Sequence, residues 1–394
     1  MKKMCTFASS KNKNNMHVII LGTAYPYRGG LSAFNERLAS EYQQNGHTVE
    51  IYTFTLQYPS FLFPGKTQYS EEPAPEGLKI LRKVHSCNPF NWLKVGKEIR
   101  KKRPDLLVVK FWLPFMGPCL GTIARRVRKN GVTRVVSVLD NVVPHEHRIG
   151  DRLFARYFVR SADGFVAMSR SVLADLDLFD TRKPRQFCPH PLYDHYGSLL
   201  PRNEARRLAG LDEEGRYVLF FGFIRAYKGL DLLLEAFADK RLEQLGVKLV
   251  VAGEFYGDAA PYMEQIERLG IEERVVLRTD FIADSEVNRY FRSANIVAQP
   301  YKSATQSGVT QIAFHFEVPM LVTRVGGLPE IVPDGEIGYV VEPEAGAIAD
   351  ALVRYFEEDK EAAFTEGVRR EKVKYLWPRM TEAIDKVKHE NKKA

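Results

Sequence analysis

Residues 299–341 read QPYKSATQSGVTQIAFHFEVPMLVTRVGGLPEIVPDGEIGYVV, and their pattern decides the fold. The stretch opens on the end of an apolar strand, Ile296 to Gln299, crosses a loop of small polar residues from Ser303 to Gly308, and continues in an apolar run suited to a short helix. Small side chains and glycine ahead of a helix let backbone N–H groups approach an anion closely, and the helix dipole adds to the attraction. A second strand, Met320 to Thr323, runs into Gly326-Gly327-Leu328-Pro329-Glu330, a turn of the same kind. Two such loops at neighbouring strand ends form the crevice where open α/β sheets bind ligands, and the small-residue loop suits a phosphate. Ordinary βα turns of a nucleotide-free domain share this spelling, so the reading needs support from the rest of the chain.

That support begins upstream. Strands are expected at Tyr217 to Phe221, Lys248 to Ala252 and Val275 to Leu277, with helices at Leu230 to Ala238, Ala260 to Leu269 and Asp284 to Phe291. The loop Gly222 to Gly229 sets Arg225 and Lys228 just before a helix N-terminus, where cations are unfavourable unless an anion arrives from outside; a diphosphate fits. The first half repeats the pattern. A buried strand, His17 to Gly22, leads through Gly29-Gly30 into a helix ending near Asn45, and Thr48 to Thr53 follows as a second strand, so a parallel sheet starts here. Further strands are expected at Leu78 to Leu81, Leu106 to Lys110, Val135 to Leu139 and Gly164 to Met168. The strand Val135 to Leu139 runs into Asp140-Asn141-Val142-Val143-Pro144-His145, which places titratable groups at a carboxyl edge, so Asp140 and His145 are candidates for chemistry. Asp175-Leu176-Asp177 is spelled like a metal-binding carboxylate pair but sits in an amphipathic helix, where the two side chains diverge.

The expected organisation is a disordered tail over 1–15, a first Rossmann-like domain over 16–190, a linker over 191–205, a second Rossmann-like domain over 206–370, and a crossover helix with its tail over 371–394. Residues 1–200 carry a net charge of +14 and residues 201–394 one of −6. Basic clusters at 100–103 and 125–129 and at Arg148, Arg152, Arg156 and Arg160 suit either a solvated face or an anionic membrane surface; no nucleic-acid-binding motif accompanies them. No apolar run is long enough to span a bilayer, and four scattered cysteines without metal spacing argue for a reducing cytoplasm, with peripheral attachment to the inner membrane face as the companion expectation.

Taken in order, the motifs resemble those of the family 4 glycosyltransferases. Pro26-Tyr27-Arg28-Gly29-Gly30 with Gly46-His47-Thr48-Val49, the segment Gly222 to Asp231, the run Val318 to Thr323 with Gly326-Gly327-Leu328-Pro329-Glu330, and the Trp377 region all look like family landmarks. The resemblance implies the GT-B fold: α/β, two Rossmann-like doubly wound domains facing a cleft, with a C-terminal helix crossing back to the first. It implies transfer of a sugar from a nucleotide-diphosphate sugar to a hydroxyl acceptor, with retention and without a bound metal or permanent cofactor, in cell-surface polysaccharide or glycolipid synthesis. The acceptor would be lipid-linked or saccharide. Arg225 and Lys228 would hold the diphosphate with the Gly29, Gly30 and Gly222 backbone, Phe281 and Ile282 would flank the base, and Thr305, Gln306, Ser307, Gly308 and Gln311 would complete the donor site.

Two departures stand out. The family's pair of glutamates is absent between Ser303 and His315, leaving Gln311 as the nearest substitute for the ribose-binding one. The histidine that often ends the strand matched by Val135 to Leu139 is replaced by Asp140, leaving Asp140, Asn141 or His145 to fill that position. Two alternatives accompany the main reading: a sugar-nucleotide epimerase of the same fold, and a non-catalytic nucleotide-sugar or lipid-binding module. A dinucleotide-dependent dehydrogenase is disfavoured because neither half has GxGxxG after its first strand.

Overall fold

The computed structural model describes residues 15–59, 68–70, 73–143, 150–280, 282–304 and 307–390. The chain forms two compact units, one of residues up to Pro189 together with Trp377 onward, the other of His190–Leu376. In the first unit the strands are β1 (His17–Leu21), β2 (Thr48–Leu56), β3 (Ile80–His85), β4 (Leu106–Phe111), β5 (Arg134–Leu139), β6 (Gly164–Ala167) and β7 (Arg185–Phe187). They lie side by side in the order β3-β2-β1-β4-β5-β6-β7, every pair parallel. The central strands are runs of apolar residues because a parallel sheet is covered on both faces. Ile19, Leu21, Leu107 and Val109 join a core with the helices Pro89–Lys102, Gly117–Arg128 and Asp151–Val159. Val18, Ile20, Leu106 and Val108 point the other way, into a core shared with the helix Gly30–Gln44.

The second core face also receives the chain's last helix, Trp377–His389, which the chain reaches only after completing the second unit. Its Trp377, Met380, Ile384 and Val387 are buried there, and Trp377 lies 5.2 Å from the Phe34 ring. Each such side chain contributes about 1.5–3 kcal/mol of burial, which holds the returning helix in place. The final helix, expected over 368–388 with a break at Trp377-Pro378, is interrupted there: Glu361–Glu371 ends in a tight turn over Lys372–Tyr375, and Pro378 stands in the first turn of the next helix, where its missing N–H costs nothing.

The second unit repeats the plan with β8 (Arg216–Phe221), β9 (Val247–Ala252), β10 (Val275–Arg278), β11 (Ile296–Gln299), β12 (Met320–Thr323) and β13 (Gly338–Val341) in the order β10-β9-β8-β11-β12-β13, again all parallel. Both sheets are therefore doubly wound. Their strand order reverses between β1 and β4 in the first and between β8 and β11 in the second, and ligands of such sheets bind at these reversal points. Strands β7 and β13 go beyond the expected set, and β3 starts two residues later than expected. The helix Arg202–Ala209 begins inside the segment expected as a linker, and Arg206 fastens it by donating to the Ser293 carbonyl (3.1 Å) and to Asn295 Oδ1 (3.1 Å).

Candidate functional site

At the reversal point of the second sheet, β8 is followed by Gly222, whose φ of +94° and lack of a Cβ open the turn; a Cβ there would come 3.1 Å from Lys228 Nζ. Gly229 closes the loop at φ +69° and caps the helix Leu230–Phe237; a Cβ on it would lie 1.9 Å from the Pro300 carbonyl oxygen, so only glycine lets this loop pass the one after β11. Between them the chain presents two cations. Lys228 is half-buried with its amine 5.8 Å from the Tyr301 ring centroid, and burial, then the nearby Arg225 charge, pulls its pKa down to about 8. Arg225 is exposed, its guanidinium 3.8 Å from the ring centroid of Tyr256. Among the described residues neither forms an ion pair. A half-buried amine held without a counter-charge is an unfavourable arrangement that an incoming anion relieves.

Across the reversal, the helix Gly308–Phe316 begins at an exposed glycine. Ser307 is its N-cap: the hydroxyl accepts from Val309 N–H at 3.2 Å and lies 3.1 Å from the Tyr301 hydroxyl, so it is already engaged. Gln311 is 3 % exposed, and its Oε1 is buried with no hydrogen-bond partner. Gln299, the last residue of β11, is 1 % exposed with both amide atoms unpartnered. By strand alternation Gln299 faces the same side as Val297, the side on which the helix carrying Gln311 packs through Val309, Ile312 and Ala313. Ile282 packs half-buried against that same core. Two unsatisfied amides in one layer cost roughly 1–3 kcal/mol each, which marks polar contacts left for something else to complete. His145, Phe281, Thr305 and Gln306, named from the sequence, lie outside the described residues.

The first sheet's reversal point is built differently. Gly22 follows β1, and a Cβ there would meet Asn35 Nδ2 at 2.5 Å; Asn35 in turn donates to the Thr23 carbonyl at 2.8 Å. The loop to Gly29-Gly30 is pinned by Glu36, which accepts from Tyr25 N–H (2.6 Å) and the Ser32 hydroxyl (2.9 Å), and whose own pKa is raised by burial. Gly29, at φ +98°, has open space where a Cβ would stand and precedes the first helical residue, Gly30. Across the reversal stands Lys110, 1 % exposed, its Nζ 2.8 Å from Asp140 Oδ1 and 3.5 Å from the Phe34 ring centroid. Burial lowers its pKa and Asp140 opposes that shift. Asn35 Oδ1 and Thr23 Oγ1 are buried without partners in the same loop region. Sequence reasoning found Asp140 but not Lys110 or Gln299; in each case the signal was a polar side chain near the end of an otherwise apolar strand.

Some charges singled out from the sequence have internal uses. Arg125 stacks 4.1 Å from the Tyr157 ring centroid and donates to its carbonyl, Arg128 pairs with Asp163 at 2.7 Å, and Asp177 with Arg185 at 2.5 Å. Arg152, Arg156 and Arg160 are exposed.

Two doubly wound parallel sheets, each with polar groups gathered where its strand order reverses, and a last helix returning to the first unit define the class of GT-B folds. The chain belongs to the group 1, family 4 glycosyltransferases: residues 28–185 match the family described as Glycosyltransferase Family 4 and residues 215–358 that described as Glycosyl transferases group 1. Among curated proteins it is similar to the D-inositol 3-phosphate glycosyltransferase of Segniliparus rotundus, 30% identical over 189 residues that make up 47% of this chain and 42% of the relative. The protein of that name from Mycobacterium tuberculosis is 30% identical over 190 residues, 46% of this chain and 39% of the relative. The matched region thus spans about two fifths of the length of these relatives. Among solved structures, sucrose-phosphate synthase from Thermosynechococcus elongatus superposes with a TM-score of 0.68 at 15% identity over 95% of this chain and 98% of that one. Anabaena HepE in complex with UDP and glucose does so with 0.64 at 18% identity over 94% and 99%. At such identities the likeness is one of fold.

Proposed function

We propose that the protein transfers a sugar from a nucleotide-diphosphate donor to a hydroxyl of a saccharide or lipid-linked acceptor, with retention of configuration. The observation that carries this is Lys228: a half-buried amine without an acidic partner among the described residues, at the reversal point of the second sheet, facing Gly222 and Tyr301. Its charge would meet the diphosphate's, and would matter most as the leaving group gains negative charge in the transition state. The backbone amide at Gly308 would add a donor, doing part of the charge neutralisation that a metal performs in other transferases. Gln311 would accept from a ribose hydroxyl through the oxygen now left unpartnered, with Ile282 beside the base.

In the first unit, Asp140, oriented by Lys110, would accept a hydrogen bond from the acceptor hydroxyl. Lys110 is a positioning residue in this scheme. A retaining reaction in which the departing phosphate oxygen takes the acceptor's proton needs no strong protein base. Work on a membrane-borne acceptor is supported by the helix Pro89–Lys102, which exposes Phe90 (83 %) and Leu93 (43 %) among the exposed Lys94 and Lys97. Among the described residues no helix is long and apolar enough to cross a membrane.

The test is donor binding and turnover together. Thermal-shift titration with UDP-, GDP- and ADP-sugars identifies the base, and slow hydrolysis of the preferred donor without acceptor then reports the chemistry. The reading requires Lys228→Met to weaken the stabilisation and abolish the hydrolysis; binding without turnover under any condition would turn the protein into a non-catalytic module.

A further inference from the structure

The loop that carries Lys228 has a second side. Arg225, three residues earlier, lines a cavity of about 570 Å³ together with Tyr227, Asp231, Tyr256, Gln265 and Lys302. Several observations set this cavity apart from the donor site. Ile224, Phe255 and Tyr262 in its wall belong to the core on the face of the second sheet covered by the helix Leu230–Phe237, whereas Ile282 and the helix Gly308–Phe316 belong to the core on the opposite face. The cavity is aromatic and open: Tyr256 is 61 % exposed, Tyr227 41 % and the neighbouring Phe223 54 %, with Phe223 edge-on to Tyr256 at 6.5 Å. Exposed aromatic rings grouped around a hollow of this size mark binding sites.

The polar groups specify the ligand. Lys302 and Asp231 Oδ2 are paired at 2.6 Å and neutralise each other, while Asp231 Oδ1 is buried without a partner. Gln265 is tied down by donating to the Asp231 carbonyl at 2.9 Å. Arg225 is the cation left over: it forms no ion pair among the described residues, and its guanidinium lies 3.8 Å from the Tyr256 ring centroid in the lining of the same cavity. Flat aromatic surfaces suit the C–H faces of pyranose rings, an unpartnered carboxylate oxygen suits a hydroxyl donor, and a free guanidinium suits a carboxylate by two parallel hydrogen bonds.

We propose that this cavity is a saccharide subsite, separate from the donor site, which takes an acidic sugar unit of the acceptor chain: ring against Tyr256 and Tyr227, carboxylate on Arg225, hydroxyl on Asp231. It rests on the reading of the protein as a glycosyltransferase, since an acceptor chain is what such a subsite would hold while its end is extended.

Binding separates the two claims without turnover. Trigalacturonic acid and neutral maltotriose are titrated by calorimetry into the full-length chain, beside UDP. The wild type is expected to bind the acidic trisaccharide at least tenfold more tightly than the neutral one, with affinity falling as salt rises. Tyr256→Ala, a change at an exposed ring, is expected to weaken trigalacturonate tenfold or more and leave UDP binding as it was, and Arg225→Gln to erase the preference for acid over neutral. No binding of either trisaccharide by the wild type, or binding undiminished in Tyr256→Ala, overturns the subsite. Joint loss of UDP and trisaccharide in Tyr256→Ala overturns its separateness. Trisaccharide binding without any UDP binding keeps the subsite and sinks the donor reading instead.

Discussion

Each sheet has a lysine where its strand order reverses, and the two live under opposite conditions. Lys110 is sealed in the first unit with Asp140 at 2.8 Å, whereas Lys228 is half-buried in the second with no acidic partner among the described residues and a pKa drawn down to about 8. A paired buried lysine belongs to the architecture and orients its carboxylate; an unpaired one is a vacancy for an anion. On the proposed reading Lys110 contributes to stability and Lys228 to binding.

The largest effect should come from breaking the paired one. Asp140→Ala leaves a desolvated ammonium, and losses of about 3 kcal/mol are expected for a pair this buried. All three tryptophans, Trp92, Trp112 and Trp377, lie in the first unit, so their fluorescence during urea unfolding reports on it. Lys228→Met should do the reverse. Because its folded pKa lies below the usual lysine value, the unfolded chain binds more protons; the penalty is full below about pH 8 and fades as pH rises toward the lysine's ordinary value. The substitution should leave stability at pH 7 unchanged or raised, read by calorimetry, while weakening UDP on the order of 10²-fold. If Lys228→Met destabilised as much as Asp140→Ala, the distinction between the two lysines would fail.

The glycine loops sharpen the same contrast. Gly229→Ala drives a Cβ into the Pro300 carbonyl and should cost the second unit at least about 2 kcal/mol, while Gly29→Ala meets no atom and should cost only the backbone strain, about 1–3 kcal/mol, of φ +98° with ψ 179°, a region that essentially only glycine occupies. Hydrogen exchange of β8 and β1 amides reads each separately. The smallest effect is expected at Gln311→Leu: removing a buried, unpartnered carbonyl should stabilise the ligand-free protein by roughly 0.5 kcal/mol and weaken the donor several-fold, with the two changes opposite in sign.

Much of this was legible in the sequence, because parallel strands buried on both faces read as apolar runs: β11 and β12 and the helix Ala260–Leu269 fall where the pattern places them. Strand β7, Arg185–Phe187, did not announce itself, since a short half-buried edge strand has neither an apolar run nor alternation. Tertiary partners were illegible too. Arg125 and Arg128 count as free charge in the sequence but are bound to Tyr157 and Asp163, and Lys110 reads as a stray charge in LLVVKFW until Asp140 is brought beside it. Arg225 and Lys228, expected to grip one diphosphate, face Tyr256 and Tyr301 respectively; spacing within a loop does not reveal side-chain direction.

On the proposed reading, the amine of Lys228 receives the donor's diphosphate. Calorimetric titration of UDP near pH 8.5, in two buffers of different ionisation enthalpy, counts the protons taken up on binding. Uptake of a substantial fraction of one proton is expected from the wild type, with affinity falling as pH rises through 8, and Lys228→Met should lose both the proton and the pH dependence. Equal affinity and equal proton counts in the two proteins would contradict it.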